Sequence, residues 1–231
     1  MKIYALSDFH LSFMVDKPMD VFGEKWNNYE EKIKNNWQNK VKAEDIVLIS
    51  GDTSWAMYEK DTEKDFEFIS KLNGKKVIIR GNHDYWWKSI SGVRELLPNG
   101  VFALQNDSIM FENYLICGTR GWLVPEHGKT LNAEDQKIYD REVIRLELAL
   151  KDMQQKRKED SKVICMMHFP PFNSKMEESE FTKLFKAYNV DKVVYAHLHK
   201  KTINPKKITL DGIEYILSSS DLVDFDPVEV Y

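Results

Sequence analysis

The sequence predicts an α/β fold in which a parallel sheet is followed by a second sheet of antiparallel hairpins. In the first hundred residues, apolar runs at 3–6, 46–50 and 77–79 alternate with segments of helical periodicity. This order is typical of parallel strands joined by right-handed crossovers. After residue 100 the apolar runs are separated by Asn-Asp and Glu-Asn pairs, which are typical of antiparallel hairpins.

The first half of the chain predicts three strands and three helices. The connection after the first strand carries an aromatic stripe at three- and four-residue steps, which indicates a helix over 26–41. The stripe consists of Trp26, Tyr29, Ile33, Trp37 and Val41. Residues 11–23 are predicted to form a loop that covers the end of the first strand. Further helices are predicted over 61–72 and from residue 87 to residue 97, where Pro98-Asn99-Gly100 ends the pattern.

The second half predicts the second sheet, beginning at residue 101. Short strands are expected at 101–104, 108–111 and 114–117. Asn132 and Asp135 resemble a capping box at the start of a helix that runs to residue 155. Strands at 163–167 and 193–196 flank a helix at 181–188. Asp211-Gly212 predicts the turn of a final hairpin, 207–210 with 213–217.

Composition limits the class of protein. A chain of 231 residues favours one domain over 1–231. The formal charge of −4 gives no general electrostatic reason to bind nucleic acid. The chain has no run of about 18 apolar residues, which argues against a membrane span. The first residues become polar too soon for a signal peptide, so a cytoplasmic location is expected.

Polar side chains that can bind metal follow the predicted strands. Alone, an Asp-x-His pair is usually chance, and Asn82 or Asp84 beside His83 could simply cap a helix. Repetition at several strand ends has no packing explanation, and ligands bind at this edge of an α/β sheet. Mixed imidazole, carboxylate and amide groups suit Mn²⁺, Fe, Zn²⁺ or Co²⁺ better than Ca²⁺. The set has too many members for one ion but enough for two: Asp8, His10, Asp52, Asn82, His83, His168, His197 and His199.

These blocks resemble, in order and over nearly the whole chain, the signature of calcineurin-like metallophosphoesterases. They are Asp8-x-His10, Gly51-Asp52, Gly81-Asn82-His83-Asp84, His168 and His197-x-His199. The resemblance implies a four-layer α/β/β/α sandwich of two mixed sheets. It also implies that Asp8, His10 and His199 hold one metal, that Asn82, His168 and His197 hold the other, and that Asp52 bridges them. Ala196 stands where the family usually has Gly, and we expect a slight backbone adjustment without loss of metal.

The expected activity is metal-dependent hydrolysis of a phosphate mono- or diester by a metal-bridging hydroxide. Two divalent ions carry more positive charge than Asp8 and Asp52 offset, so the site stays cationic. Mn²⁺ is the first expectation for these ions, with Fe, Zn²⁺, Co²⁺ or Ni²⁺ as alternatives. His83 is assigned to the leaving group, as a proton donor or charge stabiliser, and Asp84 is expected to fix its tautomer. The alternative for His83 is a purely structural histidine.

The expected substrate is a small phosphate ester, with a nucleotide as one option. Four tryptophans near site motifs could stack on a nucleobase or sugar, although core packing is the alternative for at least half of them: Trp55, Trp86, Trp87 and Trp122. Arg120, between two glycines, could reach a phosphate, although a salt bridge explains it equally well. Other functions left open are a non-catalytic metal-binding interaction module, a protein phosphatase and a nuclease.

Overall fold

The computed structural model describes residues 1–199 and 206–231, which form two β-sheets packed face to face between two layers of helices. The predicted fold class is therefore confirmed. The strands are β1 Ile3–Ala5, β2 Ile46–Ile49, β3 Lys75–Ile78, β4 Val101–Ala103, β5 Ser108–Phe111, β6 Tyr114–Thr119, β7 Lys162–Met167, β8 Lys192–Tyr195, β9 Lys207–Leu210, β10 Ile213–Leu217 and β11 Val228–Glu229. The helices are α1 Tyr29–Lys40, α2 Glu63–Lys71, α3 Ile90–Leu96, α4 Ala133–Lys156 and α5 Glu180–Ala187.

The first sheet has the order β11-β1-β2-β3-β4. Strands β1 to β4 are parallel, and β11 closes the edge by pairing antiparallel to β1. The assignment of residues 101–104 to the second sheet was wrong, because β4 pairs parallel to β3. The Asn-Asp pair instead marks the passage between the sheets, where Asn106 has a left-handed φ of 63°.

The second sheet has the order β5-β6-β7-β8-β10-β9 and is mixed rather than antiparallel. Strands β6, β7, β8 and β10 run parallel, while β5 and β9 form the hairpin edges. The final hairpin is confirmed, with Asp211 and Gly212 both at positive φ as a type I′ turn requires.

Three apolar layers hold the sandwich together. The layer between the sheets contains Ile3 and Leu48 from the first sheet and Ile116, Ile164 and Val194 from the second. Helices α1 and α2 cover the outer face of the first sheet, and α4 and α5 cover the second. Because the parallel strands are buried on both faces, their sequences are continuous apolar runs rather than alternating ones.

The connection from β1 to α1 is less regular than the helix that the periodicity predicted over 26–41. Two 3₁₀ turns, Met19–Phe22 and Glu24–Trp26, precede α1, which begins at Tyr29. Gly23 at φ 122° and Asn28 at φ 53° interrupt the helical path. Across residues 1–199 and 206–231, no helix combines the length and the apolar character that a membrane crossing requires.

Candidate metal centre

The ends of four strands bring six of the expected metal ligands into two groups of three. The first group is Asp8, His10 and His199, and the second is Asp52, His168 and His197. Within each group, the potential ligand atoms lie within 4.8 Å of one another. The two sheets meet directly here, since the ring Nδ1 of His168 after β7 lies 2.9 Å from the carbonyl oxygen of Ser50 after β2.

Each carboxylate of the centre has one oxygen held by the backbone and one oxygen without a partner. Asp8 Oδ2 accepts from the backbone N–H of His197 at 2.9 Å, and Asp52 Oδ1 accepts from that of His83 at 2.8 Å. Asp8 Oδ1 and Asp52 Oδ2 are buried and have no hydrogen-bond partner among the described residues. Buried acceptors left in this way are costly unless a cation or proton meets them.

Asp52 Oδ2 lies between the two groups. It is 3.8 Å from His10 Nε2 in the first group and 3.5 Å from His168 Nε2 in the second. An oxygen in this position can be shared by two cations, which is the arrangement that the family resemblance implied for Asp52.

Asn82 completes the second group. Its Oδ1 lies 2.6 Å from His168 Nε2 and 3.0 Å from His197 Nδ1. If the Nδ1–H of His168 donates to Ser50, Nε2 carries a lone pair and faces other potential ligand atoms. The donor set of one amide oxygen, two imidazoles and a carboxylate therefore fits a transition-metal dication.

Four of these residues have backbone conformations that side chains rarely adopt. Asp8, His10, Asp52 and His197 have φ values of 57°, 50°, 51° and 72°. A non-glycine residue in the left-handed region costs of order 1 kcal/mol, and such strain concentrates at functional sites. The strand ends turn sharply so that each side chain points back into the centre.

Two glycines allow the ends of β2 and β3 to approach each other. A Cβ on Gly51 would lie 2.6 Å from Gly81 Cα, and a Cβ on Gly81 would overlap Asp52 Oδ1. Ala196 is also accommodated: it is buried, its φ is not positive, and its N–H donates to the carbonyl oxygen of His168 at 3.1 Å.

Burial shifts the protonation of the centre. It raises the pKa of Asp8 to about 7 and the pKa of Asp52 to about 6. It lowers the pKa of His168 and of His197 to about 3, so both imidazoles are neutral at pH 7. Neutral imidazoles are the form that binds metal, whereas a carboxyl group with a raised pKa keeps its proton to a higher pH and loses it when a cation binds.

Asp221 contacts the centre and was missed by the sequence analysis. Its Oδ1 lies 2.9 Å from His199 Nδ1. Burial alone would lower the pKa of His199, but the hydrogen bond to Asp221 and the charge of Asp8 raise it to about 9. A carboxylate on the outer nitrogen orients a ligand histidine and leaves Nε2 for the metal. In the sequence, Asp221 is marked by its position in the polar run that follows β10, and it lies outside any motif.

The prediction that Asp84 fixes the tautomer of His83 was wrong. Asp84 is buried and accepts from the backbone N–H groups of Asp52 (2.9 Å), Thr53 (2.9 Å), Ser54 (3.2 Å) and Gly81 (2.7 Å), and from Trp86 Nε1 (3.0 Å). Its carboxylate thus fastens the loop after β2 to the loop after β3. His83 Nδ1 is buried without a partner in the described part of the chain.

A pocket of about 330 Å³ opens beside the first group of ligands and His83. Trp55 stacks on His10 with ring centroids 4.8 Å apart, and its centroid lies 4.5 Å from that of His83. The apolar wall also includes three residues that sequence reasoning did not select. They are Met19, Phe22 and Trp26, all from the connection before α1.

Arg120 and Trp122 do not line this pocket, and Trp86 and Trp87 are buried in the core instead. Arg120 lies 3.5 Å from the buried carboxylate of Glu142 and 4.7 Å from the ring of Trp122, so the salt-bridge alternative describes it. Trp122 donates from Nε1 to Asp135 at 3.0 Å and packs on Phe169. Arg120 and Trp122 were selected from the sequence because they lie close to the site motifs along the chain. In the structure, the turn after β6 directs both side chains toward α4.

Comparisons with known proteins agree with the fold and the strand-end motifs. An uncharacterized protein of Methanocaldococcus jannaschii is 36% identical over 86 residues, which are 36% of this chain and 47% of that relative, so the match spans about half of its length. The phosphopantetheinyl hydrolase of Mycobacterium tuberculosis superposes with a TM-score of 0.59 at 12% identity, covering 99% of this chain and 95% of its own. The protein TT1561 of Thermus thermophilus superposes with a TM-score of 0.61 at 16% identity, covering 98% and 96%.

At these identities the structural neighbours establish the fold alone, whereas the family assignment rests on the sequence. The family model described as calcineurin-like phosphoesterase matches residues 1–201, which include every expected metal ligand. Family membership supports phosphoester hydrolysis as the general class of activity. The chain belongs to the calcineurin-like phosphoesterase family.

Proposed function

We propose that this protein hydrolyses a small organic phosphate ester at a centre of two divalent cations. The observation that carries the proposal is the position of Asp52 Oδ2. This oxygen is buried, has no hydrogen-bond partner among the described residues, and lies within 3.8 Å of a histidine of each ligand group. One group alone would make a metal site. Two groups that share an unpaired oxygen support a binuclear one.

The residues present fit two cations. Asp8, His10 and His199 would hold one; Asn82, His168 and His197 would hold the other; Asp52 would be shared. When bound, such a pair supplies Lewis acidity that activates water and neutralises charge on a phosphoryl group. Mn²⁺ suits this mixture of imidazole and oxygen donors, with Fe, Zn²⁺, Co²⁺ and Ni²⁺ as alternatives.

The protein contributes charge balance and orientation. Asp8 and Asp52, the two carboxylates among the proposed ligands, offset half of the charge of two dications and leave the centre attractive to anions. Asp84 holds the two loops that present Asp52 and Asn82, since it bonds the backbone of both loops. His83 lies against Trp55 at the pocket wall, where its imidazole can hold or donate a proton at the leaving oxygen of the ester.

The pocket favours an ester whose alcohol part is flat and partly apolar. Its wall combines Trp55, Trp26, Met19 and Phe22 beside the ligand histidines. Aromatic faces of this kind stack on nucleobases or other planar groups. We therefore propose a nucleotide-like or other small organic phosphate as the substrate class.

Hydrolysis of p-nitrophenyl phosphate and bis-p-nitrophenyl phosphate with added Mn²⁺ tests the proposal and separates monoesterase from diesterase activity. The wild-type chain should hydrolyse at least one ester and lose activity when the metal is chelated. Asp52→Asn should lose at least about a hundredfold in kcat/KM, because even partners behind the ligands contribute tenfold to a hundredfold.

Asp45→Asn is the matched control. Asp45 is also buried, but it lies at the opposite end of β2, where it accepts from the backbone of Lys2 and Lys42. This variant should keep wild-type kcat/KM and metal content. Bound metal without turnover of either ester would contradict the proposal and indicate a non-catalytic metal-binding interaction module instead.

A further inference from the structure

A second polar cavity lies between the end of β3 and the end of β6, covered by α4. Its volume is about 90 Å³, several times what one water molecule needs. Among the described residues it shares no lining side chain with the pocket beside the metal centre. It is lined by Ile79, Arg80, Lys88, Leu104, Gln105, Asn106, Thr119, Arg120, Glu142 and Arg145.

The lining carries a large excess of positive charge. Four of these residues are cationic, and Glu142 is the one acidic residue among them. The excess stands out because the whole chain has a formal charge of −4. Basic groups gathered around a concave polar space attract anions and raise their local concentration.

Glu142 cannot neutralise this set. Its carboxylate is fully buried, and Oε2 is occupied by the hydroxyl of Thr119 at 2.7 Å. The remaining oxygen, Oε1, is approached by Arg145 at 2.7 Å, by Arg120 at 3.5 Å and, from outside the cavity, by Arg141 at 3.9 Å. Three guanidinium groups therefore compete for one oxygen.

Two arginines of the cavity also have buried donors that nothing accepts. The Nε atoms of Arg80 and Arg120 are buried and have no hydrogen-bond partner in residues 1–199 and 206–231. Desolvated cations with unpaired donors are costly unless an anion binds to them.

We propose that this cavity binds a free tetrahedral oxyanion of the phosphate or sulfate type, at a site separate from the metal centre. Arginine donors are well suited to such an ion because a guanidinium group can give two parallel hydrogen bonds to its oxygens. A cavity of this volume is large enough for such an ion. The inference stands independently of the proposed hydrolysis.

The site is connected to the metal centre through the backbone. Arg80 is two residues from Asn82, and the carbonyl oxygen of Arg120 accepts from the N–H groups of His168 at 3.1 Å and Phe169 at 2.9 Å. An anion that draws the two arginines together therefore acts on the segments that present Asn82 and His168.

Calorimetric titration of the metal-loaded chain with inorganic phosphate and with sulfate tests the proposal. Wild type should show a binding event that remains in Asp52→Asn, since that variant alters only the metal centre. Arg145→Gln and Arg80→Gln should each weaken this event by about tenfold or more, the loss expected for one charge-assisted hydrogen bond. Arg94→Gln, which removes a partly exposed arginine paired with Asp107 outside the cavity, should leave it unchanged.

A second measurement does not depend on the folding of any variant. Wild-type crystals soaked in tungstate should show an anomalous peak within hydrogen-bond distance of Arg80 and Arg120. Absence of this peak, or a binding event that both cavity variants retain, overturns the proposal. If Arg145→Gln instead raises the KM for p-nitrophenyl phosphate and leaves phosphate binding intact, the cavity holds the phosphoryl group of a substrate and the free-ion proposal is wrong.

Discussion

The candidate metal centre depends on individual oxygen atoms that are buried and have no hydrogen-bond partner in the part of the chain that the structure describes. Asp8 Oδ1 and Asp52 Oδ2 are oxygens of this kind, and each belongs to a carboxylate whose other oxygen is fixed by a backbone N–H. The fixed oxygen orients the carboxylate, while the unpaired one is available to a cation. We therefore expect a residue with a single acceptor at either position to lose one of these two contacts.

At this scale the sequence was informative about ligands and less so about their supports. A histidine or aspartate directly after an apolar run is visible in the sequence, and the structure brings six such residues into two groups. The contact of Asp221 with His199 joins residues 22 positions apart, and nothing local marks it. The role of Asp84 was missed for a similar reason, because its partners are mostly backbone N–H groups of another loop.

We predict that His83→Ala keeps the metal content of the wild type and lowers kcat by about 10² to 10⁴, the usual contribution of a general acid. The expectation follows from its position at the pocket wall, where its ring is outside both ligand groups. Metal analysis and steady-state kinetics on the same sample give the two quantities. His127→Ala, in an exposed loop, should change neither, and a parallel loss of metal and turnover in His83→Ala would show that His83 acts on metal retention instead.

At the scale of elements, the centre is made by strands that end together. The loops after β1, β2, β3, β7 and β8 supply the seven proposed ligands, and none comes from a helix. The periodicity of the sequence located most of these strands because burial on both faces leaves long apolar runs. It did not locate β11, which has two residues, nor the sheet to which β4 belongs, since pairing between distant strands leaves no local pattern.

The approach of β2 to β3 gives a prediction at this scale. Gly81→Ala should lower the free energy of unfolding by about 1–3 kcal/mol and weaken metal binding, because the added Cβ overlaps Asp52. Denaturant titration and metal content measure the two effects. In Gly100→Ala the added Cβ meets no atom of the described residues within 4 Å. Only its left-handed φ of 85° is strained, so metal content should be unchanged. Equal metal loss in both variants would contradict this account.

At the scale of the whole molecule, the two sheets share a core and also share the centre. The first sheet supplies Asp8, His10, Asp52 and Asn82, and the second supplies His168, His197 and His199. Formation of the site therefore requires that the sheets pack in one register. The family resemblance predicted this architecture correctly, whereas the residue patterns alone predicted two sheets without their relative placement.

The protonation state of the assembled centre predicts how metal binding depends on pH. Protons on His199, with a pKa of about 9, and on Asp8, with a pKa of about 7, compete with cations in the metal-free chain. Affinity is therefore low below these pKa values and should increase as the pH rises from 6 to 8. Calorimetry of Mn²⁺ binding in two buffers of different ionisation enthalpy should show net proton release. Affinity that is constant over this range, with no dependence on buffer, would contradict the assignment.

The most direct test of the central claim is the anomalous scattering of a crystal grown with Mn²⁺. Two peaks are expected about 3.5–4 Å apart, as in known two-metal sites. One should be bound by Asp8, His10 and His199, the other by Asn82, His168 and His197, with Asp52 Oδ2 between them. A single peak, or two peaks that do not share Asp52, would contradict a binuclear centre built by the two sheets.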